Sequence, residues 1–284
     1  MIIKDLKDAK KYLPSVVQKG DNIEMSDLFQ LAEQQLVDDI IGEELYAELL
    51  KDKEDDKKLI VMCARIISVN GFLAAIPDID LVLTQSGFAV INDNEGYAPA
   101  SSARVKALTA SLTDRSDNAT DTLIRFLIAS DRYEEIWRSS EQFTSITSGL
   151  IASYSEFKDY APYSPAVSVN YPKSYAEFKK YYSALNTALL TEVASYLSRD
   201  YCIELVERYR DDEVITLHEK FVLTQIRHAL CSLILGDQLS GRNFIIKARS
   251  YMLKFPLSFP TFINSPESKT VDIERSETGI FSTL

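Results

Sequence analysis

The feature that most constrains the fold of this chain is a degenerate repetition: the stretch Met1–Ile76 is echoed by Leu150–Asp237. Each copy opens on a short apolar lead-in that ends in Tyr-x-Pro. At a fixed offset Ile3 falls on Ile151, Tyr12 on Tyr160 and Pro14 on Pro162. Proline has no N–H to donate and closes the first helical turn in both. A long amphipathic stretch follows. In the first copy, over Ser26–Leu50, Val37, Ile41, Leu45 and Leu49 recur four apart; in the second, Val193, Leu197, Tyr201 and Leu205 recur at the same spacing and at one constant offset. That spacing places four apolar side chains on one helical face. Both copies then pass an acidic turn, Asp55-Asp56 and Asp211-Asp212, into a second apolar helix, Leu59–Ile76 and Val214–Leu235. Few positions are identical, so the argument rests on the agreement of order, helical phase, turn and Tyr-x-Pro together. Ser26 is placed to cap the first long helix, and Ser174-x-x-Glu177 reads as a capping box in the second copy.

Between the copies the pattern changes. Pro77 ends the preceding helix, and Asp80–Asn92 alternates apolar and polar residues with a break at Ser86-Gly87, which predicts a β-hairpin. After a polar loop over Asp93–Pro99, two helices are expected, Ser101–Leu112 and Thr120–Ser139. The latter carries an apolar stripe of Leu123, Phe126, Leu127, Ile136 and Trp137. Gly241–Leu253 is expected to be helical, and Phe255–Leu284, with Pro256, Pro260 and Pro266 and a polar run, to be an extended arm. The predicted fold is therefore mainly α. It is a tandem-duplicated helical hairpin unit with an inserted β-hairpin and an extended C-terminal arm, divided as 1–76, 77–149, 150–254 and 255–284.

Composition excludes several classes. The net charge is −11 and no Lys/Arg cluster stands out, which argues against general nucleic-acid binding; such a surface would let duplex DNA slide past without sticking. The start, Met1-Ile2-Ile3-Lys4-Asp5, lacks the pattern of a cleavable leader. The longest apolar run, Leu59–Ile67, is short and contains Arg65, so no membrane span is expected. Cys63, Cys202 and Cys231 lie in apolar helical patterns and read as buried hydrophobes in a reducing compartment.

Motifs for chemistry are incomplete. His218-Glu219 would need a second histidine where Val222 stands, and His228 with Cys231 would need two further zinc ligands, of which only Cys202 is of the right type. Asn92-Asp93-Asn94-Glu95-Gly96 lacks the later glutamate of a calcium loop. There is no glycine-rich phosphate loop and no Gly-x-Ser-x-Gly elbow. The acidic turns could hold a cation, though such turns between helices need none. No catalytic, cofactor-binding or metal-ligating residue is expected. Fifteen tyrosines stand against one tryptophan, with Tyr133 and a cluster over Tyr154–Tyr182; they fit either a contact surface or packing between the copies.

Four segments together, Leu83–Val90 (LTQSGFAV), Ala98–Arg104 (APASSAR), Trp137–Ser140 (WRSS) and Ile151–Phe157 (IASYSEF), resemble a family of unknown function, DUF6712. Its members occur in phages and prophages of Bacteroides-type bacteria, crAss-like phages included. The resemblance is expected to extend over most of the chain. It implies a structural virion protein similar to head–tail connector (adaptor) proteins: a homo-oligomeric ring between portal and tail, assembled in the bacterial cytoplasm, through which DNA passes without sequence-specific binding. It brings no defined functional side chains. Physical reasoning about strand edges and tails places the expected oligomer contacts at Leu81, Leu83, Phe88 and Val90 of the hairpin and at Phe262, Ile263, Ile280 and Phe281 of the arm. The alternatives are a prophage-encoded cytoplasmic partner-binding or regulatory protein, and an enzyme with a site between the copies.

Overall fold

A computed structural model describes residues 1–14, 24–51, 53–79, 101–162, 168–210 and 216–269, together with the backbone of 81–84 and 87–90. The chain is mainly helical and divides into two compact units. The first comprises Met1–Thr147, Ala152–Glu156 and Pro172–Lys180; the second comprises Ser148–Ile151, Phe157–Tyr171 and Tyr181–Leu284.

In the first unit, Asp5 caps the short helix α1 (Leu6–Ala9) by accepting the Asp8 N–H, and a 3-10 turn, Lys10–Tyr12, follows. Helix α2 (Ser26–Leu36) runs into a π-helical turn, Val37–Ile41, and the chain then breaks at Gly42 before α3 (Glu43–Leu49). The single helix expected over Ser26–Leu50 is thus two pieces. Met25, not Ser26, holds the cap position.

Helix α4 (Lys57–Ala75) is the centre of this unit. Its Leu59, Cys63, Ile66, Ile67 and Phe72 are buried, and it packs against both α2 and α5 (Ser102–Ile128). A Cβ on Gly71 would lie 2.3 Å from the Phe29 ring, so the glycine is what lets α2 seat its fully buried phenylalanine there. One expectation needs correction here. Over Glu54–Ala75 the helix is long and apolar enough to cross a membrane, with mean hydropathy 1.6, despite Arg65. Its apolarity has a sufficient cause in the two helices that cover it.

Helix α5 is continuous where two helices were expected, because nothing in Thr113–Ala119 is a proline or glycine and its polar residues tolerate helix. A 3-10 turn (Asp131–Tyr133), α6 (Glu134–Trp137) and α7 (Glu141–Thr147) complete this part. Strands β1 (Leu81–Thr84) and β2 (Gly87–Val90) pair antiparallel, Leu81 opposite Val90.

Helix α8 (Tyr154–Tyr160) begins in the first unit and ends in the second, and α9 (Tyr175–Phe178) returns to the first. The second unit continues with α10 (Tyr182–Ala188), a π-helical turn (Leu189–Val193), α11 (Ala194–Leu197), a break at Ser198 and α12 (Arg199–Arg210). A reciprocal capping box, Thr216 with Glu219, opens α13 (Leu217–Ile234), and Asp237 caps α14 (Gln238–Lys254), which folds back on it. Val222, Ile226, Leu230, Ile245, Ala248 and Met252 form their shared buried face.

The extended arm does not begin at Phe255. Two 3-10 turns (Pro256–Ser258, Glu267–Lys269) and α15 (Pro260–Ile263) fold this stretch onto the second unit, with Phe259 and Phe262 buried. Thr261 Oγ1 donates to Glu204 at 2.5 Å and Arg249 to the Glu267 carbonyl at 3.0 Å. The prolines start turns here instead of preventing them, since proline suits the first helical position. Residues 270–284, like the second acidic turn Asp211-Asp212 and the Asp93–Pro99 loop, lie outside the described residues.

Candidate interaction surfaces

Buried polar side chains of the first unit are committed to backbone ends and to one another. Asp117 and Asp121 stand one turn apart on α5. Asp121 accepts the backbone N–H groups of Tyr154 and Ser155 at 2.9 and 2.8 Å, and Asp117 accepts that of Tyr175 at 2.8 Å. The two carboxylates thereby cap α8 and α9 from a distance, a charge-assisted bond at a positive helix end. Buried Asp56 takes the Arg132 Nε at 2.9 Å and the Tyr133 hydroxyl at 3.1 Å through one oxygen.

A cavity of about 330 Å³ lies in the first unit, between α2, α4, α5 and α9. Its ionisable lining is an ion pair, Lys179 with Asp39 at 2.5 Å, beside Asp117; Ser116 donates to Asn70 at 2.6 Å. Each of these groups already has a partner that fixes a helix. The histidines behave similarly: His218 Nδ1 lies 2.8 Å from the Tyr251 hydroxyl, and His228 Nδ1 lies 2.8 Å from the Tyr160 carbonyl. Burial pushes the thiols of Cys63 and Cys202 up to about 12, which keeps them as unreactive thiols at neutral pH.

Several tyrosines are internal to their units. Tyr133 and Tyr154 are buried, and the Tyr154 hydroxyl donates to the Pro172 carbonyl at 2.7 Å. Tyr160 and Tyr209 flank the Arg227 guanidinium at 5.3 and 5.2 Å, while its Nε donates to Leu150 O at 2.7 Å. Packing within each unit accounts for these positions.

Of the expected contact residues, Phe262 requires correction: it is fully buried and belongs to the core of the second unit. Ile263 is half-buried beside it. Leu81, Leu83, Phe88 and Val90 are described as backbone alone, and Ile280 and Phe281 lie outside the described residues.

Two exposed surfaces were not anticipated. At the N-terminal end of α13 Leu217 is 83% exposed, and in the 3-10 turn after α14 Leu257 is 97% exposed. Close to them in sequence is a cluster of rings: Phe221 against Tyr251 at 4.2 Å, His218 against Phe255 at 4.4 Å, and Tyr251 against Phe255 at 4.7 Å. The signal was present, since Leu217 and Phe221 are four apart and off the Val222–Ile226 stripe. The other surface is a groove of about 350 Å³ between α4 and α5. Val61, Met62 and Ala119 line it, with Lys57, Lys58 and Arg65 at its rim.

Residues 27–147 match the model of a family of unknown function, DUF6712. The match covers less than half of the 284-residue chain, and it falls inside the first stretch of the first unit. The Ile151–Phe157 segment, expected to share the resemblance, lies beyond it. No curated protein and no solved structure matches the chain.

Proposed function

We propose that this protein is a non-catalytic assembly subunit, a ring-forming adaptor between portal and tail of a tailed phage or prophage. The observation that carries the assembly reading is the apolar face around Leu217, Phe221, Tyr251, Phe255 and Leu257. Two leucines left almost wholly in water, next in sequence to tilted aromatic pairs, form the kind of patch a second protein surface covers. Burying one such leucine is worth about 1.5–3 kcal/mol, so a few of them suffice to drive weak, repeated contacts. Identical subunits meeting head to tail close into a ring when the rotation closes. The phage setting rests on the four sequence segments that resemble DUF6712 members.

We also infer that the chain arose by duplication of a helical unit. At the constant offset that superposes Val37 on Val193, Gly42 falls on Ser198. Both residues have a positive φ, 75° and 76°, with ψ of 157° and 140°, and both separate two helices after a π-helical turn. A non-glycine residue in that conformation is rare, so its recurrence at the aligned position supports common origin.

Sedimentation velocity and negative-stain electron microscopy of the full chain test the assembly reading. A discrete ring is expected, and Leu217→Glu with Leu257→Glu should yield monomers of unchanged melting temperature. A monomer at every concentration that is also missing from phage particles would overturn it and favour a partner-binding prophage protein.

A further inference from the structure

We propose that the groove between α4 and α5 receives residues 271–281 of a second copy of this chain; the inference rests on the assembly reading and names its contact. Three observations converge. First, the groove combines an apolar floor with a cationic rim in a chain whose net charge is −11. Val61 is 43% exposed at the floor, and the Lys58 ammonium sits 4.6 Å over the Phe126 ring, which holds the charge at the lip. Lys57 pairs with Glu54, so Lys58 and Arg65 are the cations that a ligand would meet. Second, no carboxylate lines the groove among the described residues. An acidic partner is the complement, and most of this chain's surface charge is of that sign.

Third, the sequence 271–281 has the matching chemistry. Val271-Asp272-Ile273-Glu274 alternates apolar and acidic residues, with Glu277, Ile280 and Phe281 following. In an extended segment alternate side chains face opposite ways, so Val271 and Ile273 can enter the floor while Asp272 and Glu274 turn toward the rim. Residues 270–281 reach at most about 40 Å beyond Lys269, far enough to touch a neighbouring subunit. The exposed aromatic face on the second unit would then be one contact of the assembly and this groove another.

The receptor for the test is the full chain with its own segment disabled, Asp272→Lys with Glu274→Lys. A fluorescent peptide of residues 270–284 is expected to bind it, and to bind at least tenfold more weakly when Lys58→Glu and Arg65→Glu are added. Raising sodium chloride from 50 to 500 mM should weaken binding severalfold. In the whole protein each pair of reversals should raise the concentration needed for assembly at least tenfold. Equimolar mixing of the two reversed proteins should restore assembly through alternating subunits, and both reversals in one chain should also restore the ring. Circular dichroism melting of each variant separates lost docking from lost folding. A peptide that ignores the groove reversals overturns the proposal. Peptide binding without any response of assembly also overturns it, by making the occupant the chain's own segment. Rings that persist through each reversal made alone but dissociate on Leu217→Glu with Leu257→Glu would remove the groove contact and leave the assembly reading standing.

Discussion

The two helix breaks, at Gly42 and Ser198, reach the same backbone conformation by different means. At the first, the π-helical turn is held from outside. Trp137 is fully buried and donates from Nε1 to the Ile40 carbonyl at 2.7 Å, and Gln142 donates to the Asp38 carbonyl at 3.0 Å. Glycine supplies the positive φ there and no side-chain bond. At the second, a further helical stretch, α11, separates the π-helical turn from the break, and the break is held from within: the Ser198 Oγ accepts the Tyr201 N–H at 3.3 Å and so caps α12. The first break draws on a tryptophan from a distant segment. The second relies on a strained residue that doubles as a cap. One backbone conformation is thus reached with different side chains to stabilise it.

Removing the external support should have the largest effect. Trp137→Ala empties a fully buried site and leaves the Ile40 carbonyl without its donor; large aromatic truncations cost about 3–5 kcal/mol. Urea denaturation should show the loss, and Trp137→Phe should cost less. A loss under about 1 kcal/mol for the alanine variant would mean that the π-helical turn holds itself. Next comes Gly42→Ala. A Cβ there meets Gln142 Oε1 at 2.9 Å and a φ of 75° that alanine resists. The expected cost is about 1–3 kcal/mol, and Gln142→Ala in the same chain should recover only the contact part of it.

Much of this architecture could be read from residue order. The four-residue apolar spacing marked the stretches that hold α3, α11 and α12, the second apolar runs located α4 and α13, the Thr216-x-x-Glu219 cap sits where the latter begins, and the Tyr-x-Pro lead-ins mark α1 and α8. What periodicity did not reveal was tertiary. Nothing local distinguishes the interior of one helix from a π-helical turn braced by Trp137, since the bracing residue is nearly a hundred positions away in sequence. The arm misread Phe259 and Phe262 because proline-rich, polar stretches look unfolded until their aromatic residues find a core. Leu217 and Phe221 carried a faint signal, being four apart and off the buried stripe, but an apolar residue beside a helix end is ordinary in sequence until its exposure is known.

The hydroxyl at the second break gives a smaller effect. Ser198→Ala keeps the unfavourable φ and deletes the cap on α12, so stability should fall by about 1 kcal/mol. An unchanged midpoint in thermal denaturation would show that the 3.3 Å bond contributes nothing and that the break is held only by packing around Leu197 and Tyr201.

Ser198→Gly separates strain from capping, and its sign is the informative part. Glycine relieves a conformation that costs a non-glycine residue about 1–3 kcal/mol. Against this stand the extra freedom that glycine gives the unfolded chain, about 0.5–1 kcal/mol, and the few tenths by which glycine trails serine as a cap. The balance runs from about zero to about 2 kcal/mol in favour of the variant, a small rise in melting temperature. Serine at this position would then be tolerated, with glycine as the better fit to the backbone conformation the two breaks share. A fall of the same size would reverse that conclusion: the hydroxyl would be the structural requirement, and the two breaks would be alike in dihedral angle only.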